Sequence, residues 1–144
     1  KKKNKNSVYS ITILYPVAMV PVEGLHNAVV IISTFPNEKS LRDTAYEVIV
    51  NAKSCACVSY TQVRSLYWWE SELHDEEEVI ALFKTTKMRA KELRSGIEKR
   101  HPYDVPEIIE IVAHKTSEPY LDWLIGSTTI TLDRKKRRTQ HRKA

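Results

Sequence analysis

The sequence predicts an α+β protein in which two helices back a four-stranded antiparallel sheet, the ferredoxin-like split β-α-β arrangement. Apolar, β-branched runs and helical periodicity alternate in the order strand, helix, strand, strand, helix, strand. The two middle strands follow each other directly and form a hairpin that is long for a domain of this size. A short extra helix follows the fourth strand. These observations indicate one domain with two layers and a small C-terminal addition.

The first strand is predicted at residues 29–35, because this run is apolar and β-branched and ends at Pro36. Asn37 then serves as the N-cap of the first helix, since its side chain can accept a hydrogen bond from the first turn. The helix reaches Lys53 because apolar side chains recur at helical spacing. Those side chains are Leu41, Ala45, Val48, Ile49 and Ala52.

The long hairpin is predicted from residues 55–70 and 73–86, which are rich in β-branched and aromatic residues. Its turn, placed near residues 71–72, contains no glycine, so the turn chemistry is a weak hairpin signal. The second helix spans residues 87–100, with Ala90, Leu93 and Ile97 on one face. It must stop there, because two prolines follow within six residues and a helix accommodates neither.

The C-terminal part is predicted to form a fourth strand at residues 107–113 and a short helix at 119–125. Gly126 is expected to end that helix, and residues 128–132 to form a last strand. This gives three regions: an N-terminal extension (1–27), the folded domain (28–127), and a C-terminal strand with a basic tail (128–144). The extension, in which lysines precede an apolar stretch, is interpreted as an extra strand or as the remnant of a targeting sequence.

The net charge of +5 is a difference between regions. Eleven basic residues lie in the two ends of the chain, which leaves 12 basic and 18 acidic residues between positions 6 and 133, a charge of −6. An acidic body attracts cations and repels nucleic acid. Nucleic-acid binding is therefore expected only through the basic tail, which can equally be a nuclear address or a solubilising segment. No apolar run is long enough for a membrane helix.

The two cysteines, Cys55 and Cys57, lie on the same face of a strand, because they are two residues apart. They are interpreted as small buried apolar residues in a reducing compartment, which predicts a cytoplasmic protein. An organelle or secretory route is the alternative if residues 1–27 are a targeting remnant. A soft metal site that uses one or both thiols is the other alternative.

Five local motifs occur in a fixed order along the chain. They read Thr-Phe-Pro-Asn at 34–37, Ala-Cys-Val at 56–58, Ser-Leu-Tyr-Trp-Trp-Glu at 65–70, His-Pro-Tyr-Asp-Val-Pro-Glu at 101–107 and Tyr-Leu-Asp-Trp at 120–123. Each motif alone is weak, but the ordered set is specific. Over about residues 28–126 the chain resembles the CutA divalent-ion tolerance family.

The resemblance implies a non-enzymatic protein and a homotrimer in which the long hairpins of neighbouring subunits pair edge to edge. The physical argument agrees, because an unpaired hairpin of this length would leave an exposed edge. Tyr67, Trp68 and Trp69 are accordingly interpreted as core and interface anchors, with a ligand cage as the alternative. An enzyme is not expected, because no motif places a nucleophile beside a base.

The resemblance also implies a copper site with a cysteine on the first strand and two adjacent histidines before Pro-Tyr. Ser33 and Arg100 occupy two of those positions, and neither is a useful copper ligand, so only His101 remains. Cys57 matches a common family position. The candidate metal ligands are therefore His101 and Cys57, for copper or another divalent cation. The alternative for His101 is a structural histidine at a subunit junction.

Two further readings stay open. The run at residues 74–78, a histidine followed by four carboxylates, can bind hard cations weakly or can be a solvated strand edge. The alternative function is that of a PII-like trimeric regulator, which senses a small metabolite in clefts between subunits near His101 and Tyr103. The chain offers no glycine-rich phosphate loop, which disfavours a nucleotide as that metabolite.

Overall fold

The computed structural model describes residues 22–130. Residues 1–21 and 131–144 lie outside this range, and so do most of the predicted N-terminal extension and the whole basic tail. In chain order the elements are α1 (Val22–Leu25), β1 (Ala28–Phe35), α2 (Glu38–Tyr46), a π-helical turn (Glu47–Asn51), β2 (Cys57–Trp69), β3 (Glu72–Thr86), α3 (Lys87–Arg100), β4 (Ile109–Val112) and α4 (Glu118–Thr128).

The four strands form one sheet in the order β2-β3-β1-β4, and every neighbouring pair is antiparallel. β1 and β3 occupy the centre, while β2 and β4 are the edges. This is the ferredoxin-like order, and the fold predicted from the sequence is confirmed. Among residues 22–130, every helix is too short or too polar to cross a bilayer.

The hydrophobic core lies between the sheet and the two helices α2 and α3. Alternate side chains of β1 and β3 face these helices, and Phe35 and Phe83 are the largest of them. On α3 the three residues predicted to face the core, Ala90, Leu93 and Ile97, are all buried. The core face of the sheet is therefore committed to packing, and a ligand site has to use the opposite face or an edge.

The first helix begins as predicted, because the Asn37 side chain accepts a hydrogen bond from the Ser40 backbone N–H at 2.9 Å. The single helix expected up to Lys53 is instead divided into α2 and the π-helical turn. In that turn the Ala52 N–H bonds to the Glu47 carbonyl, five residues back. Lys53 then leaves the helix in the left-handed region, with φ of 50°.

The hairpin is as long as predicted, with 13 residues in β2 and 15 in β3. Its two turn residues are Glu70 and Ser71, one position earlier than expected. Both have positive φ, 49° and 65°, as a tight two-residue hairpin turn requires. Glycine or asparagine usually fills such positions, which is why the sequence signal was weak.

Three predictions about the C-terminal part need correction. β4 is shorter than expected, with four residues, and Gly126 does not end the last helix, which continues to Thr128. The strand predicted at residues 128–132 is wrong over 128–130, and its remainder lies outside the described residues. The helix continues because Leu124 and Thr128 are buried and the Thr128 hydroxyl donates to the Leu124 carbonyl at 2.8 Å.

Candidate ligand groove

A groove of about 550 Å³ lies where the outer part of the hairpin meets the loop that follows α3. We call it the hairpin groove. Its walls carry three aromatic side chains, Tyr67, Trp69 and Tyr103. Its acidic side chains are Glu78, Asp104 and Glu107, and its lining residues within the described range 22–130 include no Lys or Arg. The groove therefore combines aromatic faces with negative charge.

Strand alternation explains which hairpin residues reach the groove. Tyr60 on β2 bonds to Glu38 of α2, so the even-numbered side chains of β2 point toward the helices. Tyr67 and Trp69, at odd positions, point to the opposite face. Glu78 of β3 pairs across the ladder with Val63, another odd position, and so shares that face.

Glu78 is the buried carboxylate of the groove. The residue is 7% exposed, and its Oε1 accepts a hydrogen bond from the Tyr103 hydroxyl at 2.8 Å. Within residues 22–130, no basic side chain lies within salt-bridge distance of it. Burial, together with this hydrogen bond, raises the pKa of Tyr103 well above its usual range. Tyr103 therefore stays protonated and keeps donating to Glu78.

Tyr67 makes a parallel contact further along the hairpin. Its hydroxyl donates to the Glu76 carboxylate at 2.9 Å, and its ring stacks on His74 with centroids 5.3 Å apart. The hydrogen bond to Glu76 raises the pKa of Tyr67. These contacts fix the orientation of one aromatic wall of the groove.

His101 holds the loop in place beside the groove. Its Nε2 lies 2.8 Å from the Thr34 carbonyl oxygen, and its Nδ1 accepts the backbone N–H of Tyr103 at 3.1 Å. The ring stacks on Phe35 with a centroid distance of 4.3 Å. Burial lowers the pKa of His101, so the ring is neutral and donates from Nε2. Both ring nitrogens are thus engaged with the backbone.

Cys57 lies elsewhere on the sheet. It pairs with Lys84, whose Nζ is 3.8 Å from the Cys57 sulfur, whereas Thr34 and Phe35, the neighbours of His101, pair with Ile80 and Val79. That offset along β3 is four or five residues, or about 14–17 Å at strand spacing. The structure therefore does not bring His101 and Cys57 together within one chain.

Cys55 is also unsuited to a site within one chain. The residue is 1% exposed, and burial raises the pKa of its thiol to about 12, so it remains protonated and inert. Its sulfur lies 3.2 Å from the Cys57 carbonyl oxygen. It packs in the hydrophobic core, whereas Cys57 is only partly buried, so the interpretation of both cysteines as buried apolar residues is correct for Cys55 alone.

Ser33 and Arg100 occupy the two positions at which the resemblance implies further metal ligands, and each is placed for packing or ion pairing. Ser33 is fully buried, and its hydroxyl has no hydrogen-bond partner within residues 22–130. Arg100 forms an ion pair with Glu47 at 3.1 Å. Among the described residues, no group of three or more His, Cys, Asp or Glu side chains is arranged to hold a metal ion.

The acidic run at residues 74–78 divides between the two faces of β3. Asp75 and Glu77 lie on the helix side, 2.6 Å and 3.9 Å from Arg64. Glu76 and Glu78 lie on the groove side and accept hydrogen bonds from tyrosines. In the sequence the run reads as one unit, from which Glu78 does not stand out. Strand alternation was the signal that separates it from Glu77.

The sheet order, the long hairpin and the groove define a class: ferredoxin-like α+β proteins with an extended β2–β3 hairpin. The sequence profile described as "CutA1 divalent ion tolerance protein" matches residues 29–127. The divalent-cation tolerance protein CutA of Pyrococcus horikoshii is 35% identical over 100 residues, which cover 69% of this chain and 97% of that protein. The chain therefore belongs to the CutA1 divalent ion tolerance family.

Solved structures agree with this assignment. The crystal structure of CutA1 from Oryza sativa matches with a TM-score of 0.68 and 30% identity, covering 73% of this chain and 96% of that one. The periplasmic divalent cation tolerance protein CutA from Archaeoglobus fulgidus shares the fold, with a TM-score of 0.68 and 24% identity over 71% of this chain and 99% of that one.

Proposed function

We propose that this chain is a homotrimeric, non-enzymatic protein that binds divalent cations, with copper as the leading ion. The observation that carries the proposal is the family match over residues 29–127, because the relatives are named for divalent-cation tolerance. The charge distribution supports it, since residues 6–133 carry −6 and, in the part of the chain that the structure describes, no basic side chain lines the hairpin groove.

The surface of the hairpin supports self-association. Leu66 and Trp68 are 67% and 71% exposed, and Leu73, the second residue of β3, is 56% exposed. β2 is also an edge strand, whose unpaired backbone groups offer a template for another chain. A second copy with the same hairpin would cover both features. Light scattering should give three times the chain mass of 16.7 kDa, and a Trp68→Lys variant should shift the protein toward monomer.

His101 and Cys57 remain the proposed ion ligands. Since they lie far apart within one chain, an ion that used both would have to sit between subunits. His101 would also have to release one of its two backbone hydrogen bonds, at a net cost of about 1 kcal/mol. Soft thiolate and imidazole ligands favour copper over harder ions.

Copper titration of the purified trimer by calorimetry and mass spectrometry tests this assignment. His101→Ala and Cys57→Ser should each weaken copper binding at least tenfold, whereas His114→Ala, a change at an exposed histidine, should leave it unchanged. Equal copper affinity in the wild type and in the variant that combines His101→Ala with Cys57→Ser would show that neither residue is a copper ligand. Loss of copper binding in all variants, including His114→Ala, would show that the losses are not specific to His101 and Cys57 and would contradict their assignment as ligands.

A second function, a PII-like trimeric regulator that senses a small metabolite, is favoured by the hairpin groove. Its volume of about 550 Å³ falls in the range of small-molecule pockets, and a few polar groups converge on an aromatic lining. Screening the metal-free trimer against metabolites of different charge, with nucleotides included, would test it. Absence of any saturable binding would contradict this function and leave the cation-binding proposal standing.

We propose a binding role rather than catalysis, because the relatives are named for divalent-cation tolerance and not for an enzymatic activity. We also propose a cytoplasmic location, because both cysteines are free, as is usual in a reducing compartment. The Archaeoglobus relative is called periplasmic. Fractionation of cells that express the full-length protein decides between these compartments.

A further inference from the structure

We propose that the hairpin groove binds a small organic ammonium ion, held between the Glu78 carboxylate and the aromatic walls. This inference rests on the second function proposed above, metabolite sensing at the groove, and it names the class of ligand. The ligand is an alkyl amine in its protonated form. A metal ion, a nucleotide and a neutral molecule are the alternatives that the experiment separates.

The first observation is the unbalanced charge of Glu78. A buried carboxylate is normally stabilised by a cation, because hydrogen bonds alone offset only part of its lost hydration. Glu110, the comparable carboxylate on β4, has an 11% exposed side chain and pairs with both Lys87 and Arg94. Within residues 22–130, Glu78, which is 7% exposed, has only the Tyr103 hydroxyl as a partner. In that part of the chain no cation accompanies Glu78 as Lys87 and Arg94 accompany Glu110.

The neighbouring carboxylates on β3 differ from Glu78, because none of them is both buried and without a nearby cation. Glu77 has an 86% exposed side chain, and Asp75 and Glu77 both lie near Arg64. Glu76 accepts from Tyr67 and is half exposed, so water can hydrate it. Glu78 is both buried and directed into the groove. A cationic ligand in the groove would supply its missing partner.

The second observation is the chemistry of the walls. The negative faces of aromatic rings attract organic cations, and Tyr67, Trp69 and Tyr103 present such rings to the groove. The lining carboxylates of Asp104 and Glu107 add negative charge, which disfavours phosphate and carboxylate ligands. The hydroxyls of Ser65 and Thr34 can accept hydrogen bonds from an ammonium group. Alkyl carbons would pack on the rings.

A metal ion fits this groove less well. Divalent ions in proteins are held by several ligands close together, four for zinc and six or more oxygens for calcium. Residues 22–130 provide no such group of side chains. Aromatic rings do not coordinate these ions, but they do stabilise ammonium groups. One buried carboxylate among rings is therefore matched to an organic cation.

Calorimetry on the metal-free full chain tests the proposal with butylammonium, putrescine and, as a neutral molecule of the same size, 1-butanol. Both amines should bind the wild type, and 1-butanol should bind at least tenfold more weakly than butylammonium. Glu78→Gln keeps the shape and the Tyr103 hydrogen bond but removes the charge, and it should weaken amine binding at least tenfold. Glu77→Gln removes the same charge on the other face and should change amine affinity less than twofold.

Asp104→Asn, at an exposed position in the groove, provides a second variant if Glu78→Gln fails to fold, and it should weaken amine binding two- to fivefold. Equal affinity for butylammonium and 1-butanol would overturn the proposal, as would unchanged amine binding in Glu78→Gln and Asp104→Asn. Binding of a nucleotide or neutral metabolite without any amine would overturn it and leave the sensing function standing. Absence of amine binding together with copper binding that depends on Glu78 would assign the carboxylate to the metal.

Discussion

Two glycines, each inside a helix, predict opposite effects of the same substitution. Gly96 lies in α3 and Gly126 in α4, and neither has positive φ. A Cβ added at Gly96 would lie 3.0 Å from Cγ1 of Val48. One added at Gly126 would have no heavy atom of the described residues within 4 Å, apart from its chain neighbours and its own helix backbone. Gly126→Ala should therefore stabilise the protein and Gly96→Ala should destabilise it.

The magnitudes follow from these distances. Alanine in place of a helical glycine raises the free energy of unfolding by about 0.5–1 kcal/mol. Gly126→Ala should gain most of this. At Gly96 the new methyl group would overlap Val48 by about 0.5–1 Å relative to an ordinary carbon contact of 3.5–4 Å. Val48 is fully buried and β-branched, so it yields little, and overpacking of this kind costs about 1–3 kcal/mol.

Guanidinium unfolding followed by circular dichroism, at one protein concentration, measures both variants. The unfolding free energies of Gly126→Ala and Gly96→Ala should differ by about 1–3 kcal/mol, with Gly126→Ala the more stable. In a Val48→Ala background the contact is gone, and Gly96→Ala should become stabilising. If Gly96→Ala costs as much there as in the wild type, the contact with Val48 is not the cause.

Three further predictions concern single positions. Ser71→Gly should raise the unfolding free energy by about 0.5–1 kcal/mol, because Ser71 has a φ of 65°. A lower unfolding free energy than that of the wild type, measured by guanidinium unfolding, would contradict this prediction. Ser33→Ala should raise it by about 0.5–1 kcal/mol by removing a buried, unbonded hydroxyl, and a clear loss would indicate a hidden partner. Burial lowers the pKa of His101 below 6.5, so its neutral form contributes stability that is present above pH 6.5 and is lost as pH falls from 6.5 through the lowered pKa. In metal-free buffer His101→Gln should therefore lose less stability than the wild type over that range, and parallel pH profiles would refute the assignment.

The sequence predicted the fold well because its strong signals are long and periodic. Alternation over the hairpin and the recurrence of Ala90, Leu93 and Ile97 both depend on burial along a whole element. The predictions were wrong at the ends of elements, where the conformation depends on a few neighbouring residues. Gly126 is a common helix terminator, but the buried Leu124 and Thr128 extend α4 past it. Glu70 and Ser71 adopt left-handed conformations that their residue types rarely indicate.

The site was less predictable because it is formed by residues far apart in the chain. His101 was identified from its motif, but its two backbone hydrogen bonds depend on where Thr34 and Tyr103 lie in the fold. Glu78 was one of four consecutive carboxylates, and only the strand register shows that it alone is buried beside Tyr103. A motif identifies residue types, whereas the charge balance of a buried group requires knowledge of all its neighbours.

The two proposed functions are physically coupled through His101. Its Nδ1 accepts the Tyr103 N–H, and the Tyr103 hydroxyl in turn bonds to Glu78 in the groove. A metal ion that took Nδ1 would release the Tyr103 backbone and loosen the side chain that orients Glu78. Metal at that nitrogen would therefore weaken binding in the groove, and by linkage a groove ligand would weaken metal binding by the same factor. A metal at Nε2 would break the bond to Thr34 instead and would leave the contact with Tyr103 intact. The ring nitrogen that the ion uses thus decides whether cation binding and groove binding compete.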